Sequence, residues 1–146
     1  MKLTKFKQFE NISLEWEEKE AYMSFNILFN GEKIGAIEYW INHYDICEIM
    51  SIEIDEVNRG KGYGTQALVQ FKEECGYNKI SADCVSQESF FTFVKAWGKP
   101  ETFGNIFRNF DNYEEVKEYL PLKAPYDKEG NMIGSSDSSV YVYYEF

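Results

Sequence analysis

Proline, cysteine and histidine are scarce in this sequence, and basic residues are outnumbered. Its 146 residues include three prolines, three cysteines and one histidine, with 15 Lys and Arg set against 25 Asp and Glu. Cys47, Cys75 and Cys84 are odd in number and follow no metal-ligand spacing, so neither a disulfide framework nor a cysteine-built metal site is expected. Free or buried thiols in a reducing cytoplasm are the simpler reading, and the cytoplasm is the expected compartment. No apolar run approaches the ~18 residues that a membrane span requires. Met1-Lys2-Leu3-Thr4-Lys5 leads into no hydrophobic signal core, so no membrane partner is expected. The glycosylation acceptor pattern at Asn11-Ile12-Ser13 therefore carries no weight. The formal net charge of −10 argues against nucleic acid as a partner, because phosphate-backbone binding needs clustered Lys and Arg. That charge suits a cationic small-molecule or protein partner, and equally a plain acidic surface.

Bulk is present in quantity. Apolar residues make up 44% and aromatic residues 18% of the chain, enough for one core without covalent staples. A chain of this length buries roughly two-thirds of its unfolded surface, and residues 1–146 read as one domain. Ala21 to Asn30 is rich in aromatic and branched residues and ends at Asn30-Gly31, the strongest short hairpin signal. Lys33 to Trp40 resumes as a strand, with Ile34, Ala36 and Glu38 on one face and Gly35, Ile37 and Tyr39 on the other. Ile46 to Ile54 forms a third strand, whose alternation places Glu48, Met50, Ile52 and Ile54 on one face. An antiparallel meander is expected from these three.

Thr65 to Cys75 has helical spacing at Leu68, Phe71 and Cys75, with Gly76 where a left-handed C-cap belongs. Lys79 to Val85 alternates Ile80, Ala82 and Cys84 inward as a short strand. Ser86 is the N-cap of a helix bearing Phe90, Phe93, Val94 and Trp97, stopped by Gly98 and Pro100. Strand, helix and strand over 46–85 make a crossover, which predicts parallel strands. Asp111-Asn112-Tyr113-Glu114 resembles a capping box opening a helix that ends at Leu120 before Pro121. Tyr126 to Ser139 reads as a polar loop, and Val140 to Phe146 as a closing strand.

The chemistry concentrates at Arg59-Gly60-Lys61-Gly62-Tyr63-Gly64, between a strand and a helix. Glycine admits positive φ and lets backbone approach a ligand closely. Free N–H groups at the helix start, with the macrodipole behind them, favour an anion such as a pyrophosphate. Arg59 and Lys61 could add charge-assisted contacts. An ordinary tight turn is the alternative. A nucleotide P-loop fails on residues, since position 55 is Asp and Lys61 is followed by Gly62. A dinucleotide fingerprint fails too, since its third glycine position falls on Thr65.

Arg59-Gly60-Lys61-Gly62-Tyr63-Gly64-Thr65 resembles the acetyl-CoA-binding motif of the GNAT-type N-acetyltransferase superfamily, whose core pattern is Gln/Arg-x-x-Gly-x-Gly/Ala. The approach from Ile52 to Asn58, and the helix, strand and Phe/Trp-rich helix up to Gly98, match the family's order. The resemblance implies an α/β (α+β) fold: a mixed, centrally split sheet flanked by helices, with an antiparallel N-terminal meander. It implies acetyl-CoA as co-substrate, its pyrophosphate held by backbone N–H groups of Gly60, Lys61, Gly62, Tyr63, Gly64 and Thr65. The pantetheine would pair with the backbone of Ile52 and Ile54, in the split between the strands at 46–54 and 79–85. One of those two amides would polarise the acetyl carbonyl.

Transfer to an amine needs a base. Glu48 lies eleven residues before Arg59, the spacing at which histone-acetylating members of the family place their glutamate. A solvated strand carboxylate is the alternative reading, and His43 is the runner-up base. Many members carry a tyrosine near the end of the second helix that protonates the leaving thiolate. Here that position holds Val94, preceded by Phe93, and the usual Asn at the helix start is replaced by Gln87 or Ser86. Tyr126, Tyr141 or Tyr143 could substitute, and a thiol of pKa about 8.5 leaves tolerably without an acid. The family's usual helices between its first and second strands have no room here, so acceptor identity does not carry over. The expectation is an N-acetyltransferase acting on a primary amine of a small molecule or protein by direct transfer. A catalytically silent acyl-CoA-binding sensor or interaction module is the alternative. The oligomeric state is open, a homodimer among the options.

Overall fold

The computed structural model describes residues 11–124, 129 and 138–146. The chain divides into two compact units, Met1–Tyr77 and Asn78–Phe146. The first holds strands β1 (Ile12–Glu18), β2 (Met23–Phe29), β3 (Glu32–Ile41) and β4 (Cys47–Ile54), a 3-10 turn at Glu56–Asn58 and helix α1 (Tyr63–Cys75). The second holds β5 (Lys79–Cys84), α2 (Gln87–Trp97), β6 (Thr102–Gly104), α3 (Tyr113–Tyr119) and β7 (Val140–Glu145).

In the first unit the four strands pair antiparallel in sequence order, the expected meander preceded by one further strand. Asn30 (φ 51°) and Gly31 (φ 83°) both take the left-handed conformation that a two-residue hairpin turn demands. Gly35 is required for a different reason: a Cβ there would run into the Glu53 carbonyl of β4. One side of this sheet is apolar and receives α1. Phe71 packs edge-on against Phe25 and Tyr39, with ring centroids 5.7 and 5.2 Å away, and Ala67, Leu68 and Phe71 are fully buried.

The register of β3 with β4 corrects one expectation. Tyr39 pairs with Ile49 and Glu38 with Ser51, so Met50 is an extra residue in β4, a β-bulge. Alternation therefore switches phase at Met50. Cys47 and Ile49 before the bulge share the α1 side with Ile52 and Ile54 after it. Glu48 lies on the opposite side, with Ser51 and Glu53. Glu48, Met50, Ile52 and Ile54 do not form one face, because a period of two survives only while each residue has a partner.

In the second unit β7 pairs antiparallel with β5 on one side and with β6 on the other. Ile80, Ala82, Cys84, Val140, Val142 and Tyr144 are buried, as the alternation predicted. Ser86 caps α2 by accepting from the Ser89 N–H at 3.1 Å, and Gly98 ends it. Asn112 caps α3 by accepting from the Glu115 N–H, while the Glu115 carboxylate reaches back to the Asp111 N–H. The three-residue strand β6 was not foreseen. Of the segment expected as a loop, residues 126–128 and 130–137 lie outside the described residues, Tyr126 among them.

Candidate functional site

β4 ends at Ile54, and the chain turns through Glu56–Asn58 before reaching the glycines. Gly60 (φ 77°) and Gly62 (φ 81°) are both left-handed. Nothing lies within 4 Å of a Cβ built on either, so φ, not crowding, selects glycine here. The helix opens two residues earlier than the spacing of apolar side chains indicated, at Tyr63, with Gly62 as N-cap. Glycine has no side chain with which to cap, and no side-chain bond closes this helix start. The first α-helical bond runs from the Gln66 N–H to the Gly62 carbonyl at 3.1 Å. The N–H groups of Tyr63, Gly64 and Thr65 precede it and have no intrahelical acceptor. Together with the backbone of Gly60, Lys61 and Gly62, they make a run of donors at the positive end of a 13-residue helix. Those donors suit a diphosphate.

The two cations near this run differ in state. Arg59 is exposed, its Nε donating to the Ile54 carbonyl at 2.7 Å and tying the turn to the end of β4, while its two Nη groups stand outside that bond. Lys61 is exposed. Tyr63 anchors the turn from the other side, its ring 4.9 Å from that of Phe29. Ile52 and Ile54 stand half-buried on β4, a few residues ahead of the glycines.

Glu48 is half-buried on β4, opposite Trp40 in register and on the side of the sheet away from α1. Its neighbours there include Glu38, which sequence reasoning had not singled out, and Ser51, whose hydroxyl donates to Glu38 at 3.0 Å. Only the bulge brings Ser51 to this side, and nothing in a single sequence marks a bulge at a methionine. His43 is exposed in the β3–β4 turn, where the Asn42 side chain accepts from the Tyr44 and Ile46 N–H groups and holds the loop.

No hydroxyl stands at the position of the missing tyrosine. Phe93 is buried in the core of the second unit, 5.4 Å from the Trp97 ring, and Val94 is half-buried beside it. Of the substitutes, Tyr141 bonds to Asn109 and Tyr143 to Glu145. Burial, followed by the Glu145 carboxylate, raises the Tyr143 phenol above its ordinary pKa. Tyr126 lies outside the described residues. Cys47 and Cys84 are buried thiols pushed up to about 12 by desolvation, which removes them as nucleophiles at neutral pH. Among the described residues no helix is long and apolar enough to cross a membrane.

Comparison with known proteins bears on both units. An acetyltransferase from Bacillus subtilis in complex with CoA superposes with a TM-score of 0.60 at 13% identity, covering 92% of this chain and 99% of that one. A GNAT family acetyltransferase from Elizabethkingia anophelis with acetyl-CoA bound gives 0.58 at 13%, over 94% and 99%. An IAA acetyltransferase from Bacillus cereus gives 0.59 at 17%, over 92% and 99%. At these identities the likeness shows the fold, and it is the one the motif implied. No curated protein matches by sequence. The model of the acetyltransferase (GNAT) family matches residues 3–90, more than half the chain and the whole stretch from β1 through the glycine turn into α2. On that match, this chain belongs to the GNAT acetyltransferase family.

Proposed function

We propose that this single-domain chain is an acetyl-CoA-dependent N-acetyltransferase that passes an acetyl group directly to a primary amine of a small molecule or protein, in the cytoplasm. The observation that carries the reading is the helix start without a side-chain cap. The N–H groups of Tyr63, Gly64 and Thr65 lack an intrahelical acceptor at the positive end of α1, and Arg59 fastens the turn before them to β4. Those donors take the CoA pyrophosphate, with Lys61 available for a charge-assisted contact. The backbone at Ile52 and Ile54 takes the pantetheine. An amide there polarises the thioester carbonyl and stabilises the oxyanion as the amine adds. Glu48 accepts the proton that the ammonium must lose, the nitrogen bonds to the carbonyl carbon, the thiolate departs as the carbonyl re-forms, and the second proton on the nitrogen passes through solvent to that thiolate. The CoA thiolate leaves without a positioned acid.

Thermal shift with acetyl-CoA, followed by thiol release against a panel of amines, tests the reading. A rise in Tm and amine-dependent release of CoA are expected. Glu48→Gln should leave the acetyl-CoA Kd within about twofold while lowering kcat at pH 7 roughly a hundredfold, with partial recovery at alkaline pH where the amine is already neutral. An unchanged rate removes Glu48 from the mechanism. Absence of acetyl-CoA binding overturns the cofactor assignment. Binding without turnover on any amine favours the second reading, a silent acyl-CoA sensor, which the apolar Phe93 and Val94 at the acid's position support.

A further inference from the structure

The bulge in β4 decides which of its backbone groups reach the edge of the strand away from β3. Before the bulge, the Asn42 N–H donates to the Ile46 carbonyl at 3.1 Å, so Ile46 turns its backbone polar groups towards β3. These directions alternate along a strand, so Glu48 and Met50 turn the same way, whereas Cys47 and Ile49 turn to the other edge. After the bulge, the Asp55 N–H donates to the Ile34 carbonyl at 2.7 Å. By the same alternation Glu53 and Ser51 turn towards β3, and Ile54 and Ile52 turn away from it. Met50 and Ser51 are therefore consecutive residues turned the same way against one partner, Glu38. The Ile54 carbonyl agrees with this phase, since it receives the Arg59 Nε and not a donor from β3. Without the extra residue, the edge away from β3 would carry the amides of Ser51 and Glu53 in place of Ile52 and Ile54.

Little holds the two bulge residues. A bulge interrupts the ladder, so backbone bonds fix it less firmly than the strand on either side. Met50 is 54% exposed, and burial gives it little hold. Ser51 is better placed. It is half-buried, and its hydroxyl donates at 3.0 Å to Glu38 Oε1, on the residue directly opposite in register. Glu38 is fixed in turn by the Tyr22 phenol, which donates to it and is raised above its ordinary pKa by that bond. A hydrogen bond to a carboxylate is stronger than one between neutral groups. This one ties β3 to the residue immediately before Ile52.

We infer that Glu38 is a positioning residue: through the Ser51 hydroxyl it holds the bulge, and the bulge aims the Ile52 N–H at the thioester carbonyl. Only the second half rests on the acetyltransferase reading. In this role Glu38 touches neither substrate nor cofactor, and its charge serves only to strengthen the bond. A neutral acceptor of the same shape can replace it, which separates this role from that of a base or of an anchor for an ammonium group. A displaced donor loses its hold on the developing oxyanion, so the loss falls on kcat and spares ground-state binding.

Steady-state kinetics with the amine that releases thiol fastest, together with the backbone amide spectrum of isotope-labelled chain, test this. Glu38→Ala and Ser51→Ala should each lower kcat about tenfold while the amine KM and the acetyl-CoA Kd stay within about twofold. The double variant should lose no more than either alone, because both changes remove one bond. Glu38→Gln and Ser51→Thr keep an acceptor and a hydroxyl, and should return kcat to within about threefold of wild type. The Ile52 amide cross-peak should move in both alanine variants and keep its wild-type position in Glu38→Gln. Equal losses in Glu38→Gln and Glu38→Ala, additive losses in the double variant, or an Ile52 cross-peak unmoved by alanine would each overturn the role. A wild-type chain that acetylates no amine would sink the acetyltransferase reading, and the cross-peaks would still decide whether Glu38 holds the bulge.

Discussion

The helix that opens at Tyr63 and the helices that open at Gln87 and Tyr113 meet the same difficulty in opposite ways. Every helix begins with N–H groups that have no acceptor behind them. In the second unit the chain supplies the acceptor itself, through the Ser86 hydroxyl and the Asn112 carbonyl. In the first unit the cap is Gly62, and among the described residues no side chain supplies an acceptor. The same division runs through the packing. The second unit is knit by aromatic rings: Phe90 touches Phe91, Phe103 and Tyr113 with centroids 5.0 to 5.7 Å away, and Trp97 touches Phe93, Tyr144 and Phe146. The first spends one side of its sheet on α1 and leaves the other lined with carboxylates. A region that satisfies its own polar groups is a scaffold, whereas one that leaves donors and acceptors open is built for something else to satisfy them.

The comparison breaks most visibly in the aromatic unit. Phe90 is fully buried among three rings, and Phe90→Ala should lower stability by about 3–5 kcal/mol in denaturant titration. A loss under about 2 kcal/mol would mean the cluster is loosely packed and the contrast false. Alkaline pH reaches both units at once, through Cys47 in the first and Cys84 in the second. Each thiol is raised by burial from near 9 to about 12. Below pH 9 both states keep the proton and nothing is lost. Between 9 and 12 the unfolded chain ionises while the folded one cannot, so stability falls as pH rises, by about 1 kcal/mol per pH unit for each thiol. Cys47→Ala and Cys84→Ala should each flatten that slope by a similar amount, less than half because burial also raises Cys75 and Tyr39, measured by denaturant titration from pH 8.5 to 10.5. Unequal flattening would show that one thiol is less enclosed than the other.

Two glycines sharpen the contrast further. Gly62 and Gly98 both have φ above +80°, and neither has an atom within 4 Å of a built Cβ. Alanine should cost about 1–2 kcal/mol of stability at Gly62, which is left-handed, and about 1–3 kcal/mol at Gly98, whose ψ of −161° puts it in a region open almost only to glycine. Only Gly62→Ala should also weaken acetyl-CoA, about tenfold by calorimetry, since only Gly62 lies in the run of open donors. Equal effects on the ligand would dissolve the distinction between a structural and a binding glycine.

What could be read in advance depended on local chemistry. Asn30-Gly31 announced the β2–β3 turn because few residue pairs tolerate two consecutive positive φ values, and Ser86 announced α2 because a hydroxyl before an apolar run is a cap. The glycine turn was legible because three glycines between strand and helix have few other uses. The side of β4 that bears Glu48 was not legible. Alternation counts residues by twos, and one unpaired residue at Met50 turns the rest of the strand over. Whether a strand bulges depends on its pairing with its partner, and the alternation of β4 by itself holds no trace of its register on β3. The three residues of β6 escaped because a strand that short has no period. The start of α1 was misplaced by two residues because Gly64 reads as turn although it is helical. The scaffold contact of Arg59 was hidden for a similar reason: a charge beside glycines suggests a phosphate ligand, and only the folded turn shows its Nε on the Ile54 carbonyl as well.

The caps themselves offer the smallest and cleanest test. Ser86→Ala and Asn112→Ala remove the side-chain acceptors from α2 and α3, and each should cost about 1 kcal/mol in thermal or denaturant melts. Ser86 is 3% exposed, so water does not replace its oxygen easily, and its loss belongs at the upper end of the range; Asn112 is exposed, and water makes its loss smaller. Neither change should alter the acetyl-CoA Kd. The opposite experiment is to add pyrophosphate to the wild-type chain. If the open donors at Gly60 to Thr65 await an anion, pyrophosphate should raise Tm by a degree or two at millimolar concentration, and Gly62→Ala should lose that rise while Ser86→Ala keeps it. A rise that survives in Gly62→Ala would place the anion elsewhere and leave the helix start without a side-chain cap as no more than an inexpensive turn.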